Sequence, residues 1–75
     1  MLDDRVGQTP AAPLTAREVD VLAGVAVGEP NKAIAHRLGI GPATVKSYLS
    51  SAMVKLGASS RGSAVQLARE ANALP

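Results

Sequence analysis

An all-α fold of four short helices, two of them joined by a turn too tight for an antiparallel hairpin, is what this 75-residue sequence predicts. Three observations lead there. Apolar residues recur at helical spacing in four separate segments, and no segment alternates with the period of two that a strand requires. Glycine and proline punctuate the segments, at Gly28 and Pro30, at Gly39 and Gly41-Pro42, and at Gly57. The apolar set consists of Leu, Val, Ile, Ala and Met, with no Phe or Trp and with Tyr48 as the one aromatic, a composition suited to closely packed helices.

Residues 1–13 are expected to form a flexible linker or N-terminal arm, because Gly7-Gln8-Thr9-Pro10-Ala11-Ala12-Pro13 has no periodicity and two prolines bar a continuous helix. The folded domain is expected over residues 14–75. Its first helix starts at Leu14-Thr15-Ala16-Arg17-Glu18-Val19, where Thr15 caps the first turn while Glu18 reaches back, and Leu14 and Val19 flank the cap as a hydrophobic staple. Val19, Leu22, Ala23 and Ala26 continue as the inward face, and Gly28 with Pro30 ends the helix. The second helix is expected to take Asn31 as its N-cap and run to Leu38, burying Ile34, Ala35 and Leu38, with Gly39 as terminator and Ile40 plugging the corner. Pro42 suits the first position of the third helix, where no amide partner is needed. That helix carries Val45, Leu49, Ala52, Met53 and Leu56 on one stripe and stops at Gly57. Ser60 caps the fourth helix, whose inward residues are expected to be Ala64, Leu67, Ala68 and Ala71.

Size and composition exclude several functions. Roughly 60 folded residues bury only about 60% of their unfolded surface, so one marginal domain is the limit. No cysteine is present for a disulfide or a thiolate metal site, and the single histidine, His36, does not assemble a zinc site alone. No cofactor is expected. No apolar run approaches the ~20 residues needed to span a bilayer, and Met1-Leu2-Asp3-Asp4 lacks the form of a signal peptide. A soluble cytoplasmic chain is expected. Neither a nucleophile with its base nor a carboxylate pair is available, so an enzyme is not expected.

Charge supplies a positive indication. Between Glu29 and Glu70 there is no acidic residue, yet the stretch holds six basic ones: Lys32, Arg37, Lys46, Lys55, Arg61 and Arg69. The net charge of +2 conceals this, because the acids lie toward the two ends. Cations of one sign on adjoining helices draw in a polyanion, and nucleic acid is the commonest. Within the stretch, Ala35 permits close approach of the second and third helices, Gly39 makes the turn and Val45 locks the third helix onto the second. That small–glycine–branched spacing is the packing logic of a helix-turn-helix, whose second helix lies in the DNA major groove. The outward residues of the third helix are expected to be Thr44, Lys46, Ser47, Ser50, Ser51 and Lys55, small donors and two cations with no acid to repel phosphate.

At this point a family resemblance becomes specific. Leu14-Thr15, Arg17-Glu18, Asn31-Lys32, Ile34-Ala35, Arg37-Leu38-Gly39-Ile40, Thr44-Val45-Lys46, Lys55-Leu56-Gly57 and Arg61 together resemble the LuxR-type helix-turn-helix domain of the LuxR/FixJ/NarL class of bacterial transcription regulators. The resemblance covers Leu14 to about Glu70, with its motifs in order and at the right spacing. It implies a four-helix LuxR-type domain acting as the C-terminal effector of a transcription regulator, with a receiver or sensor domain preceding it. It also implies that Lys46, Ser47 and Ser50 face bases, that Asn31, Lys32, Thr44, Ser51 and Lys55 sit nearer the DNA backbone, and that the last helix serves as dimer contact. The sequence departs from the family pattern at Gly41, where a capping serine is usual, at Tyr48 in place of a common histidine, and at Ala52 in place of a larger aliphatic.

Plainer readings apply to several residues. Serine is common on any surface, although three in one helix interior is unusual given its modest helix propensity. Tyr48 reads as a half-buried anchor for the third helix, Met53 as core filler, and His36 as an exposed residue. Once its inward residues are assigned, the fourth helix keeps a second face of Gly62, Val65, Gln66 and Arg69, the expected dimer contact. Such a patch falls far short of the ~1,200 Å² of a stable interface, so the domain alone should be monomeric or weakly dimeric and pair on double-stranded DNA. The competing function is a sigma-factor-like helical module that binds another protein, which salt dependence of duplex binding separates from a DNA reader.

Overall fold

The computed structural model describes residues 13–75. Four helices follow one another in it: α1 (Ala16–Ala26), α2 (Asn31–Leu38), α3 (Pro42–Leu56) and α4 (Arg61–Glu70), with no strand among the described residues. The arm expected over residues 1–13 lies outside the described residues apart from Pro13. α3 packs against all three other helices, α1 bridges to each of them, and α2 rests on α1 and α3. Val21 and Leu22 of α1, Ile34 of α2 and Val45 of α3 are completely buried where these elements meet.

The helix starts follow local chemistry. Thr15 Oγ1 accepts the Glu18 amide at 3.2 Å while Glu18 Oε1 accepts the Thr15 amide at 2.8 Å, the reciprocal box expected there. Leu14 and Val19 beside it are half-buried against the core. Ser60 caps α4 in the same way, accepting the Ser63 amide at 3.1 Å, and Ser63 Oγ accepts the Ser60 amide at 3.2 Å. The N-cap of α2 differs from expectation: Pro30 occupies it, and Asn31 is the first helical residue with no side-chain cap bond. Asn31 Oδ1 is turned instead toward α4, where it accepts from Arg61 Nη1 at 2.9 Å.

Two inward faces are shifted from the expected ones. On α1, Val21 is buried and Ala23 is exposed, so the stripe runs through Glu18, Val21, Leu22 and Val25. Residues 21–27 are apolar or glycine throughout, so spacing alone leaves the phase of the stripe open, and the bonds drawn to Glu18 fix it. On α4, Val65 is 7% exposed and sits in the core with Ala64 and Ala68, whereas Ala71 is exposed and Leu67 half-buried. Val65 therefore is not part of an outward dimer face. The reason lies just beyond the helix. Asn72 adopts a left-handed conformation, φ 60°, and the Ala73 amide bonds back to the Ala68 carbonyl at 2.8 Å. This turn drives Leu74 into the core, 7% exposed, where it does the covering expected of Ala71.

One glycine is needed for space. A Cβ on Gly24 would lie 2.7 Å from Ile34 Cγ1, 2.6 Å from Glu29 Oε1 and 2.9 Å from Arg37 Nη2. It lets α2 close onto the end of α1, under the Arg37–Glu29 ion pair.

Candidate nucleic-acid interface

The turn between α2 and α3 comprises Gly39, Ile40 and Gly41. Gly39 holds φ 71°, and the Ile40 amide reaches back to the Ala35 carbonyl at 3.0 Å, closing α2 in one step. A Cβ at Gly39 would touch nothing, so the constraint there is backbone conformation and not room. Ala35, 3% exposed, and Val45, fully buried, fill the crossing, as the sequence predicts. The result projects the opposite face of α3 into solvent.

Thr44, Lys46, Ser47 and Ser50 are all exposed on that face, together with Ala43 and Val54. The first four are positions expected to meet DNA, whereas Ala43 and Val54, the latter 81% exposed, were not anticipated. Tyr48 is half-buried against the core and His36 is exposed, both as expected.

Ser51 and Lys55, expected near the DNA backbone, are engaged elsewhere. Ser51 Oγ donates to Glu18 Oε2 at 2.7 Å, and Lys55 Nζ donates to Glu18 Oε1 at 2.8 Å and to the Pro13 carbonyl at 3.3 Å. Both side chains lie one turn apart on the flank of α3 that α1 covers. A phosphate contact by either side chain would compete with these bonds, since reaching a phosphate would strand a carboxylate that is 3% exposed. Burial by itself would raise the pKa of Glu18. The bonds from Lys55, the Thr15 amide and Ser51, with the charge of Lys55, outweigh it and hold the group at about 2. Sequence reasoning assigned Glu18 a capping role only. Its position three and four residues before Val21 and Leu22 placed it on the inward face, and Ser51 and Lys55 at i, i+4 spacing were the complementary signal.

The acid-free stretch is thus not acid-free in space. Glu29 takes Arg37 in a two-pronged pair, with Nη2 at 2.7 Å and Nε at 3.2 Å from Oε1. Arg61 donates to Asn31 and to the Glu29 carbonyl at 3.3 Å, and Arg69 Nε to the Pro75 carbonyl at 3.2 Å. Lys32 and Lys46, both exposed, are left without an acidic partner among the described residues. Lys32 is the second residue of α2 and Lys46 the fifth of α3, near helix starts where neither N-cap side chain supplies a bond and the helix dipole favours an anion. An open apolar groove of about 500 Å³ lies elsewhere, lined by Leu14, Val19, Leu56, Ala71 and Ala73. No helix among the described residues is long and apolar enough to cross a membrane.

A helix-turn-helix whose second helix offers small polar groups and a cation, backed by a fourth helix, defines the LuxR-type DNA-binding domain of transcription regulators. Residues 12–68 match the family of bacterial regulatory proteins, luxR family, and the chain belongs to it. It is 55% identical over 71 residues to the HTH-type transcriptional activator RamA of Corynebacterium glutamicum, across 95% of this chain and 25% of that protein. It is 39% identical to the response regulator RamR of Streptomyces coelicolor, across 79% of this chain and 29% of that one. The crystal structure of response regulator ChrA from a heme-sensing two-component system superposes with a TM-score of 0.82 at 36% identity, over 93% of this chain and 34% of ChrA. The chain therefore spans about a quarter to a third of the length of the relatives it matches. RamA is named as a transcriptional activator and RamR and ChrA as response regulators, which together with the luxR family match favours DNA binding over the protein-interaction module.

Proposed function

We propose that this chain is the DNA-binding effector part of a longer bacterial transcription regulator of the response-regulator kind, acting in the cytoplasm on the nucleoid. The observation that carries the reading is the sorting of charge. Glu18 and Glu29 hold Lys55 and Arg37 to the body of the domain, while the outward face of α3 keeps Lys46 beside Ser47 and Ser50 with no acid. In this reading α3 lies in the major groove, and Lys46, Ser47 and Ser50 meet base edges. Lys32, Thr44 and the free amide of the Asn31 side chain hold phosphates. A receiver or sensor domain precedes the chain and controls pairing.

Salt dependence tests it first. With Lys32 and Lys46 as the cations of α2 and α3 that have no partner among the described residues, log affinity for random duplex should fall against log salt with a slope of about −2 or steeper, roughly tenfold or more between about 50 and 200 mM. A slope near zero would sink the reading. Lys46→Ala should cost about 1–3 kcal/mol on a selected site and relax its sequence preference, whereas Lys32→Ala should weaken all duplexes alike. Equal effects of the two changes on both kinds of duplex would remove Lys46 from the base edges.

Pairing on DNA is proposed through the outward face of α4, now reduced to Gly62, Gln66 and Arg69, all exposed. Glu70 flanks Gln66 on this face and accepts from its amide at 3.4 Å. Gln66→Glu places like charges across a two-fold axis, so cooperative binding to a two-site duplex should fall while single-site binding is spared. Unchanged cooperativity, read by titrating one-site and two-site duplexes in parallel, would take α4 out of the interface.

A further inference from the structure

Val54 stands out as the one large apolar side chain of α3 left exposed. Val45 and Leu49 are buried, Met53 and Leu56 are half-buried against the core, but Val54 is 81% exposed. A β-branched residue is a poorer helix former than the lysine or glutamate common on exposed helix faces, so neither propensity nor packing explains it. Its place on the helix does. At i, i+4, i+7 and i+11, Ala43, Ser47, Ser50 and Val54 form one line down the middle of the exposed face, with Lys46 at its edge. Val27 is comparably exposed, at 77%, but it caps the end of α1 and lies outside that line.

The line is about 16 Å long at 1.5 Å per residue, close to five base-pair steps of about 3.4 Å. All four side chains are short, so a surface against this face approaches the helix backbone closely. The flanking Ser51 and Lys55 are drawn away to Glu18, which leaves no cation beside Val54 to hold a phosphate. The apolar group that the major groove offers at such a distance is the C5-methyl of thymine.

We infer that Val54 is a specificity-determining residue that packs against a thymine methyl, about three base pairs along the groove from the base that Ser47 meets. This rests on the reading of α3 as the groove helix. It assigns the far end of α3 an apolar readout, complementary to the polar readout at its start, and it makes the preferred half-site one with a thymine at that place.

The test replaces thymidine by deoxyuridine, which deletes the methyl and leaves every hydrogen-bonding group of the base. A site is first selected from random duplex with the whole chain, and each thymidine of it is then exchanged singly. With the unaltered protein, one exchange per half-site should weaken binding about three- to fivefold, the effect of one buried methyl. With Val54→Ala, which is exposed and should melt like the parent, that exchange should have no effect while every other thymidine keeps its own. Val54→Ala retaining the full sensitivity at every position would overturn the inference, as would a selected site with no thymine within reach of α3. Sequence preference that survives without this coupling removes the methyl contact alone. Absence of binding to any duplex at low salt removes the groove reading and the inference together.

Discussion

Replacing Glu18 by alanine is expected to remove about 3 kcal/mol of stability, a large share of what a domain this small possesses. Glu18 is 3% exposed and joins two elements: it closes the cap of α1 and receives Ser51 and Lys55 from α3. Without it Lys55 loses its counter-charge, and the Thr15 amide and the Ser51 hydroxyl lose an acceptor. The same group sets the acid limit of the fold. Its folded pKa is depressed from 4.5 to about 2, so its contribution is fully present above the unfolded value. That contribution is lost as pH falls from about 4.5 toward about 2, and is worth roughly 3 kcal/mol over the window. Urea melts followed by far-ultraviolet dichroism should show midpoints falling through this range in the parent chain. Glu18→Gln should start lower and vary much less with pH. A parent whose stability is flat down to about pH 2 would contradict the buried pairing.

Gly24→Val is expected to cost about 3 kcal/mol, at the upper end of overpacking effects. Two of the atoms a Cβ would meet, Glu29 Oε1 and Arg37 Nη2, are tips of side chains that swing aside when their ion pair opens. Ile34 Cγ1 has no such freedom, because Ile34 is fully buried between α1 and α3. Relief therefore requires α2 to lift from α1, which loosens the crossing that presents α3. Gly24→Ala should show the same sign with a smaller size, since alanine recovers about 1 kcal/mol of helix propensity. Melting temperatures of the two variants against the parent decide it, and a Gly24→Ala protein more stable than the parent would show that α2 yields easily.

Most helix boundaries were legible because they rest on local devices: Thr15 with Glu18, Gly39, Pro42 and Ser60 need only their neighbours in sequence, while the cap of α2 fell to Pro30 and not to Asn31. The faces of α1 and α4 were less so. Where most residues of a segment are apolar, as from Val19 to Val27, the inward phase depends on what packs opposite, and that is a property of α3 and α2. The Leu74 insertion was missed for the same reason: a single apolar residue past a helix end carries no period, and only Asn72, which tolerates φ above zero, hinted at a turn back. At the interface, the exposed set Thr44, Lys46, Ser47 and Ser50 followed from the stripe opposite Val45 and Leu49. The bonds of Ser51 and Lys55 to Glu18 were missed by treating charge as a property of a stretch of sequence. Glu18 lies outside that stretch and beside it in space.

Tyr48, the chain's only aromatic residue, rests half-buried on α3. Near-ultraviolet absorbance and intrinsic emission of the protein therefore arise from a single phenol on one helix. Unfolding moves that ring from a packed setting into water, so its signal follows the helix that matters for recognition and not an average over several chromophores. Titration with duplex has the same resolution. Once the absorbance of the duplex at the exciting wavelength is corrected for, a change in emission reports on α3 itself. The absence of Phe and Trp, which leaves the core to small aliphatic side chains, thus gives α3 its own optical label.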